Sequence, residues 1–238
     1  MKTRRSIPEL DLARIAPLAI NEKKKALQQL KLGWPPYSYN PMRASNLDIL
    51  NVSAGPLAEL PRTPWPSIAV DIARRCNGDA DAIAANLRAG EGLYNFASEF
   101  NLTGRRHEFF SLAIGLSEKV SYWSPVVIAL EKRAVVPFID PRRSKKLSPE
   151  GRLFVFSMMN EHIRVADPDF ADVALAILQF RNTATGVRPV VSFFDDGLKL
   201  WSFADLDEMV RETYRLWEEV LEGREAESRR SAKKGPLI

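Results

Sequence analysis

Cysteine is almost absent from this sequence: Cys76 stands alone among 238 residues. An internal disulfide is thereby excluded, and a reducing compartment fits the composition. Histidine is nearly as scarce, with only His107 and His162, and their spacing from each other and from Cys76 does not form a typical zinc site. No stretch approaches the ~20 continuous apolar residues that span a bilayer. The opening MKTRRSIPELDLARIAPLAI is basic, but Glu9, Asp11, Arg14 and two prolines interrupt it, so it lacks the apolar region of a secretory signal. The patterns G-x-x-x-x-G-K-[ST], G-x-G-x-x-G and G-x-S-x-G are all missing, which leaves phosphate-loop NTPases, dinucleotide folds and α/β-hydrolases without support. These absences point to a cytoplasmic protein with no membrane association.

What is present is an ordinary globular composition, 45% apolar and 27% charged. The net charge of +4 comes from 34 basic and 30 acidic residues. Much of the surplus sits near the ends, in Lys2, Arg4, Arg5, Arg229, Arg230, Lys233 and Lys234, where cations act more often as solubilising tails than as readers of DNA.

Residues 1–66 read as an N-terminal arm. Ser6 to Glu9 spells a capping box, a second helix is expected from Glu22 to Leu32, and Leu47 to Val52 reads as a short strand. The proline-rich WPPYSYNPMR and PRTPWP force extended connectors, and the segment holds too little apolar sequence for a core of its own. Its aromatics Trp34, Tyr37 and Tyr39, with Arg43 beside them, suit stacking on bases, contact with a partner, or docking onto the chain's own domain.

Residues 67–222 read as an α/β core. Ser67 to Cys76 is helical and closes at Asn77-Gly78. Asp79 caps a helix to Phe100, with a break expected at Gly90-Glu91-Gly92. Val126–Leu130 and Ala134–Asp140 are continuously apolar, as buried central strands are, and Glu131-Lys132-Arg133 turns between them. Ser148-Pro149-Glu150 opens another helix. Asp172–Arg181, Arg188–Phe194 and Leu198–Trp201 read as strands. Ser202 and Asp205 form a capping box for an amphipathic helix, and residues 223–238 read as a disordered basic tail.

Two clusters carry candidate chemistry. In the first, Asp140 ends an apolar strand and Arg142, Arg143, Lys145 and Lys146 follow it. Period-2 alternation puts Asp140 and Arg142 on one face of the strand end. Such an aspartate suits metal binding, and it equally suits a strand-ending turn that pairs with its own arginines. The second is NEHIRVADPDFAD, Asn160 to Asp172. Here a helix-terminal His162, favoured by the dipole when protonated, and the Asp167-Pro168-Asp169 turn read as structural. Asp195-Asp196-Gly197 reads as a hairpin turn.

The order helix, strand, strand, strand, helix, strand across residues 80–181, with Asp140-Pro141-Arg142 ending the third strand, resembles the PD-(D/E)XK, or restriction-endonuclease-like, nuclease superfamily. The resemblance implies a mixed β-sheet flanked by helices, in core order α-β-β-β-α-β, with an extra β-β-α and the N-terminal arm packed on it. It implies a DNA-associated protein, either a Mg²⁺-dependent phosphodiester hydrolase or a catalytically degenerate one. Asp140 and Glu118 would hold Mg²⁺, Glu91 would be the supporting acid, and Arg142 would stand in the lysine position. Arg142, Arg143, Lys145 and Lys146 would contact nucleic-acid phosphates. The pattern departs from the family's in two ways: no acid stands at Ser124-Pro125, and an arginine cannot take a proton from water. The alternative is a non-catalytic protein-interaction module, a homo-oligomer or a subunit of a larger assembly, using the proline-aromatic arm and the helix of Trp201 and Trp217 as apolar surface.

Overall fold

The computed structural model describes residues 6–30, 38–53, 61–115, 118–184 and 186–233. Trp34 and Tyr37 lie outside them. The β-branched and aliphatic runs expected to be central strands form the middle of a six-stranded mixed sheet of order β1-β2-β5-β6-β7-β8. Its strands are β1 (Val52–Ser53), β2 (Thr103–Arg106), β5 (Val126–Leu130), β6 (Arg133–Asp140), β7 (Ala174–Phe180) and β8 (Val190–Phe194). Strands β2, β5 and β6 run as an antiparallel meander, β6 and β7 are parallel, and β8 returns antiparallel at the edge. The short strands β3 (Leu112–Ile114) and β4 (Glu118–Val120) make a separate hairpin.

Alternation along the strands sends side chains to two faces, and a helical layer covers each. On β6, Val136 and Phe138 join a core with Leu12, Leu27, Phe154, Met158, Leu206, Tyr214 and Trp217. That layer holds α1 (Glu9–Ile15), α2 (Ile20–Gln29), α7 (Pro149–Met159) and α8 (Phe203–Lys233). Val135 and Ile139 face the other way, against Met42, Ile49, Ile72, Leu93 and Phe96. That second layer holds α3 (Asn40–Arg43), α4 (Asn46–Ile49), α5 (Trp65–Arg75) and α6 (Ala80–Glu99). Among the described residues, no helix is long and apolar enough to cross a membrane.

Local signals place most boundaries. The Asp79 side chain accepts from the Ala82 N–H at 2.9 Å, and the Ser148 hydroxyl accepts from the Gly151 N–H at 3.1 Å. Ser202 and Asp205 exchange the expected capping bonds. Glu131 and Lys132 both take positive φ, 51° and 64°, as the two-residue hairpin between β5 and β6 requires.

Several expectations need correction. The Ser6–Glu9 capping box does not form: α1 starts at Glu9 with Pro8 as its N-cap, and Glu9 accepts instead from the Ser121 N–H. The second helix runs Ile20–Gln29, and residues 46–49 form a helical turn ahead of the two-residue β1. No strand forms at Leu198–Trp201, so one strand rather than two precedes α8. Gly90-Glu91-Gly92 does not break α6. Gly90 lies against Ile72 and Trp65, and a Cβ on Gly92 would stand 1.9 Å from the Arg188 carbonyl oxygen, so both glycines serve close packing. Helix α8 continues past Gly223 to Lys233. There Arg224 donates to the carbonyls of Leu27, Gln28 and Leu30 at 3.3, 2.8 and 3.0 Å and so caps the end of α2.

Candidate functional site

Parallel pairing sets Asp140, the last residue of β6, beside Gln179 of β7. Its carboxylate is fully buried, and a buried charge survives only when paired and hydrogen-bonded. Arg142 supplies the pair, with Nε at 2.9 Å, Nη2 at 3.3 Å and its backbone N–H at 3.3 Å. Gln179 Nε2 donates from 3.0 Å. Asp140 and Arg142 do meet, through a turn beyond the strand end rather than by alternation along the strand, and the two neutralise each other.

The other cations divide. Lys146 donates to the Phe180 carbonyl; burial, then the nearby Arg188 charge, lowers its ammonium below the usual lysine value. Arg143 and Lys145 are exposed, and the Arg143 carbonyl accepts from Asn182 Nδ2 at 2.9 Å. The stretch Asp140–Lys146 therefore joins the ends of β6 and β7. Glu91 sits on α6, across the sheet from the Val136–Phe138 face to which alternation assigns Asp140, and Glu118 begins β4 in the separate hairpin. Among the described residues, no group of three or more His, Cys, Asp or Glu side chains could hold a metal ion.

Arg188 is the residue that sequence reasoning overlooked. Only 2% exposed, it donates to the Pro141 carbonyl at 2.5 Å, the Arg142 carbonyl at 3.0 Å and the Tyr39 hydroxyl at 3.2 Å. Its backbone N–H bonds the Arg88 carbonyl on α6 at 3.1 Å. The signal available was Gly92, whose missing Cβ admits the Arg188 backbone, but nothing local to Gly92 reveals that contact.

The second cluster is also internally engaged. Asp195 is no mere turn residue: Arg164 holds it with Nη1 at 2.5 Å and Nη2 at 3.2 Å, and the Leu175 N–H lies at 3.3 Å. His162 stacks on Trp123 at 4.4 Å, and burial lowers its imidazole below the ordinary value, so the charged form expected at a helix end is disfavoured. Trp217 is wholly buried in the core and presents nothing to a partner, while Trp201 packs partly buried against the same core.

Fold and polar joints together define a mixed α/β protein whose most conspicuous acid–cation stretch holds loops in place. Comparison with known proteins shows the family directly. The chain belongs to the SocB family, described as the sliding clamp-binding bacterial toxin SocB, whose model matches residues 10–227. It is similar to the DNA replication inhibitor toxin SocB of Caulobacter vibrioides (strain NA1000 / CB15N), with 35% identity over 229 residues that cover 96% of this chain and 95% of that protein. No solved structure matches. These matches overturn the expected PD-(D/E)XK membership and, with it, the reading as a DNA-associated nuclease. Element order was a permissive criterion, because a mixed sheet between helices serves many unrelated activities. The protein-interaction alternative fits the family better.

Proposed function

We propose that this chain is a toxin that arrests DNA replication by binding the sliding clamp as a protein ligand in the bacterial cytoplasm. The observation that carries the reading is the extent of the family match, residues 10–227, with a replication-inhibiting relative aligned over 95% of its own length. The likeness therefore takes in both helical layers and the whole sheet. Clamp binding is a surface task that needs no catalytic constellation. The internal pairing of Asp140 with Arg142 and Gln179, which leaves that carboxylate no open face, is consistent with such a role.

The test uses the purified full chain and the sliding clamp of the same bacterium. Size-exclusion chromatography is expected to give a stable complex. Clamp-dependent primer extension is expected to be inhibited by the chain and restored by excess clamp, since the clamp would then titrate the inhibitor. Absence of a complex, or inhibition that excess clamp leaves unrelieved, overturns the reading.

A further inference from the structure

The segments that follow β6 and β7, together with α6, line an open pocket of about 180 Å³. Crevices beyond the carboxyl ends of parallel strands are the usual ligand sites of open α/β sheets, and β6 and β7 are a parallel pair. Arg88, Arg143 and Arg188 line the pocket with Asp81, Tyr39 and Thr183. Three guanidinium groups against one carboxylate leave the wall with a surplus of two positive charges.

That charge is held in place. Arg188 is fixed by the Pro141 and Arg142 carbonyls, by the Tyr39 hydroxyl and by its backbone bond to Arg88. The Gly92 contact seats the same loop against α6. Arg88 is half-buried and Arg143 exposed, and neither makes an ion pair among the described residues. The Arg88 and Arg143 guanidinium forks, which carry no carboxylate of their own among the described residues, match the oxygens of a phosphate.

Size and the single acid narrow the ligand. The volume falls below the roughly 300–1,000 Å³ of sites that enclose a whole drug-sized molecule, so the pocket suits one phosphoryl group with the first atoms beyond it. Asp81 would repel a second phosphate and can accept a hydrogen bond from a hydroxyl. We propose that this pocket binds a phosphate monoester, its phosphoryl group on Arg88 and Arg143 with the fixed Arg188 charge behind them, and its hydroxyl-bearing remainder toward Asp81. The proposal is independent of clamp binding.

Isothermal titration of the full chain tests it, with inorganic phosphate and adenosine 5′-monophosphate as probes and chloride matching the ionic strength. The wild type is expected to bind both, and Arg143→Ala to weaken phosphate binding about tenfold. Asp81→Asn, which removes a repulsion, is expected to strengthen phosphate binding a few-fold. Opposite signs from two rim positions are not what general unfolding would produce. Arg88→Gln should weaken binding as well; if that variant fails to fold, Arg143→Ala and Asp81→Asn carry the test. Tighter binding of the nucleotide than of phosphate supports a nucleotide-like source, whereas equal affinity overturns the role given to Asp81. No response beyond chloride, or unchanged phosphate affinity in all folded variants, overturns the site.

Discussion

Two buried aspartates stand at opposite ends of the same sheet. Asp140 closes the carboxyl end of β6, where it takes its arginine from two residues away. Asp195 follows β8 beside the start of β7, and takes Arg164 from 31 residues earlier in the chain. The first joint secures a loop to the strand it has just left. The second ties the turn after α7 to the sheet edge, because Arg164 also donates through Nε to the Val173 carbonyl at 2.7 Å. Equal chemistry thus does unequal work, and the difference lies in where each arginine can go once its carboxylate is lost.

The sharpest way to break the comparison is to remove each acid in turn. Asp195→Ala leaves Arg164 held at its Nε with an unpaired charge, and should cost about 3–5 kcal/mol of unfolding free energy. Asp140→Ala frees Arg142, which sits on a surface turn and can swing into water, so the loss should be nearer 2–3 kcal/mol and come mainly from the stranded Gln179 amide. Urea unfolding of both variants reads the order directly. Equal losses would mean that the length of the connection is irrelevant.

A pair of glycines sharpens the picture of how the Asp140 end is assembled. Gly92→Ala would drive a methyl into the Arg188 carbonyl oxygen, which is backbone and cannot rotate aside. A loss of about 1–3 kcal/mol is expected. Gly90→Ala meets only side-chain atoms of Ile72 and Trp65 at 3.1 Å, and the better helix propensity of alanine offsets that crowding. Its stability should stay near that of the wild type. A Gly92→Ala protein as stable as the Gly90→Ala one would show that the Arg188 loop need not lie against α6.

The smallest effect expected is one of pH, at the turn that carries Arg164. Burial lowers the His162 value in the fold from its ordinary 6.5. The unfolded chain therefore takes up the proton first, and the contribution of neutral His162 is full above about pH 6.5 and fades as acid titrates through the lowered value. The fall in melting temperature between about pH 8 and about pH 5.5 should shrink in His162→Gln. An undiminished fall would assign the acid sensitivity to other groups.

The parts of the fold legible in the sequence were those encoded within a few residues. Asp79, Ser148 and the Ser202–Asp205 pair announce helix starts because a cap and its target are three positions apart. The runs ending at Leu130 and Asp140 announce central strands because burial on both faces demands unbroken apolar residues. Asp140 with Arg142 was legible for the same reason. Arg188, Asp195, Gly92 and Trp217 were not, since each answers to a residue far along the chain and none carries a local mark. The function was still further from reach: binding a protein surface imposes no fixed spacing of acids or histidines, and a mixed sheet between helices is shared by too many activities to name one.

The cap that Arg224 places on α2 bears on how the chain comes to life. Its bonds join residues 194 to 197 positions apart, and the buried Lys23, which pairs with Glu212, spans another 189. During synthesis α2 emerges long before the helix that shelters it, so its apolar face must wait in the nascent chain until nearly everything else has been made. Such distant closure slows folding and exposes partly finished chains to aggregation. A fragment that ends before α8 would keep that face uncovered, so the ribosome would release a competent molecule late, and nearly all at once.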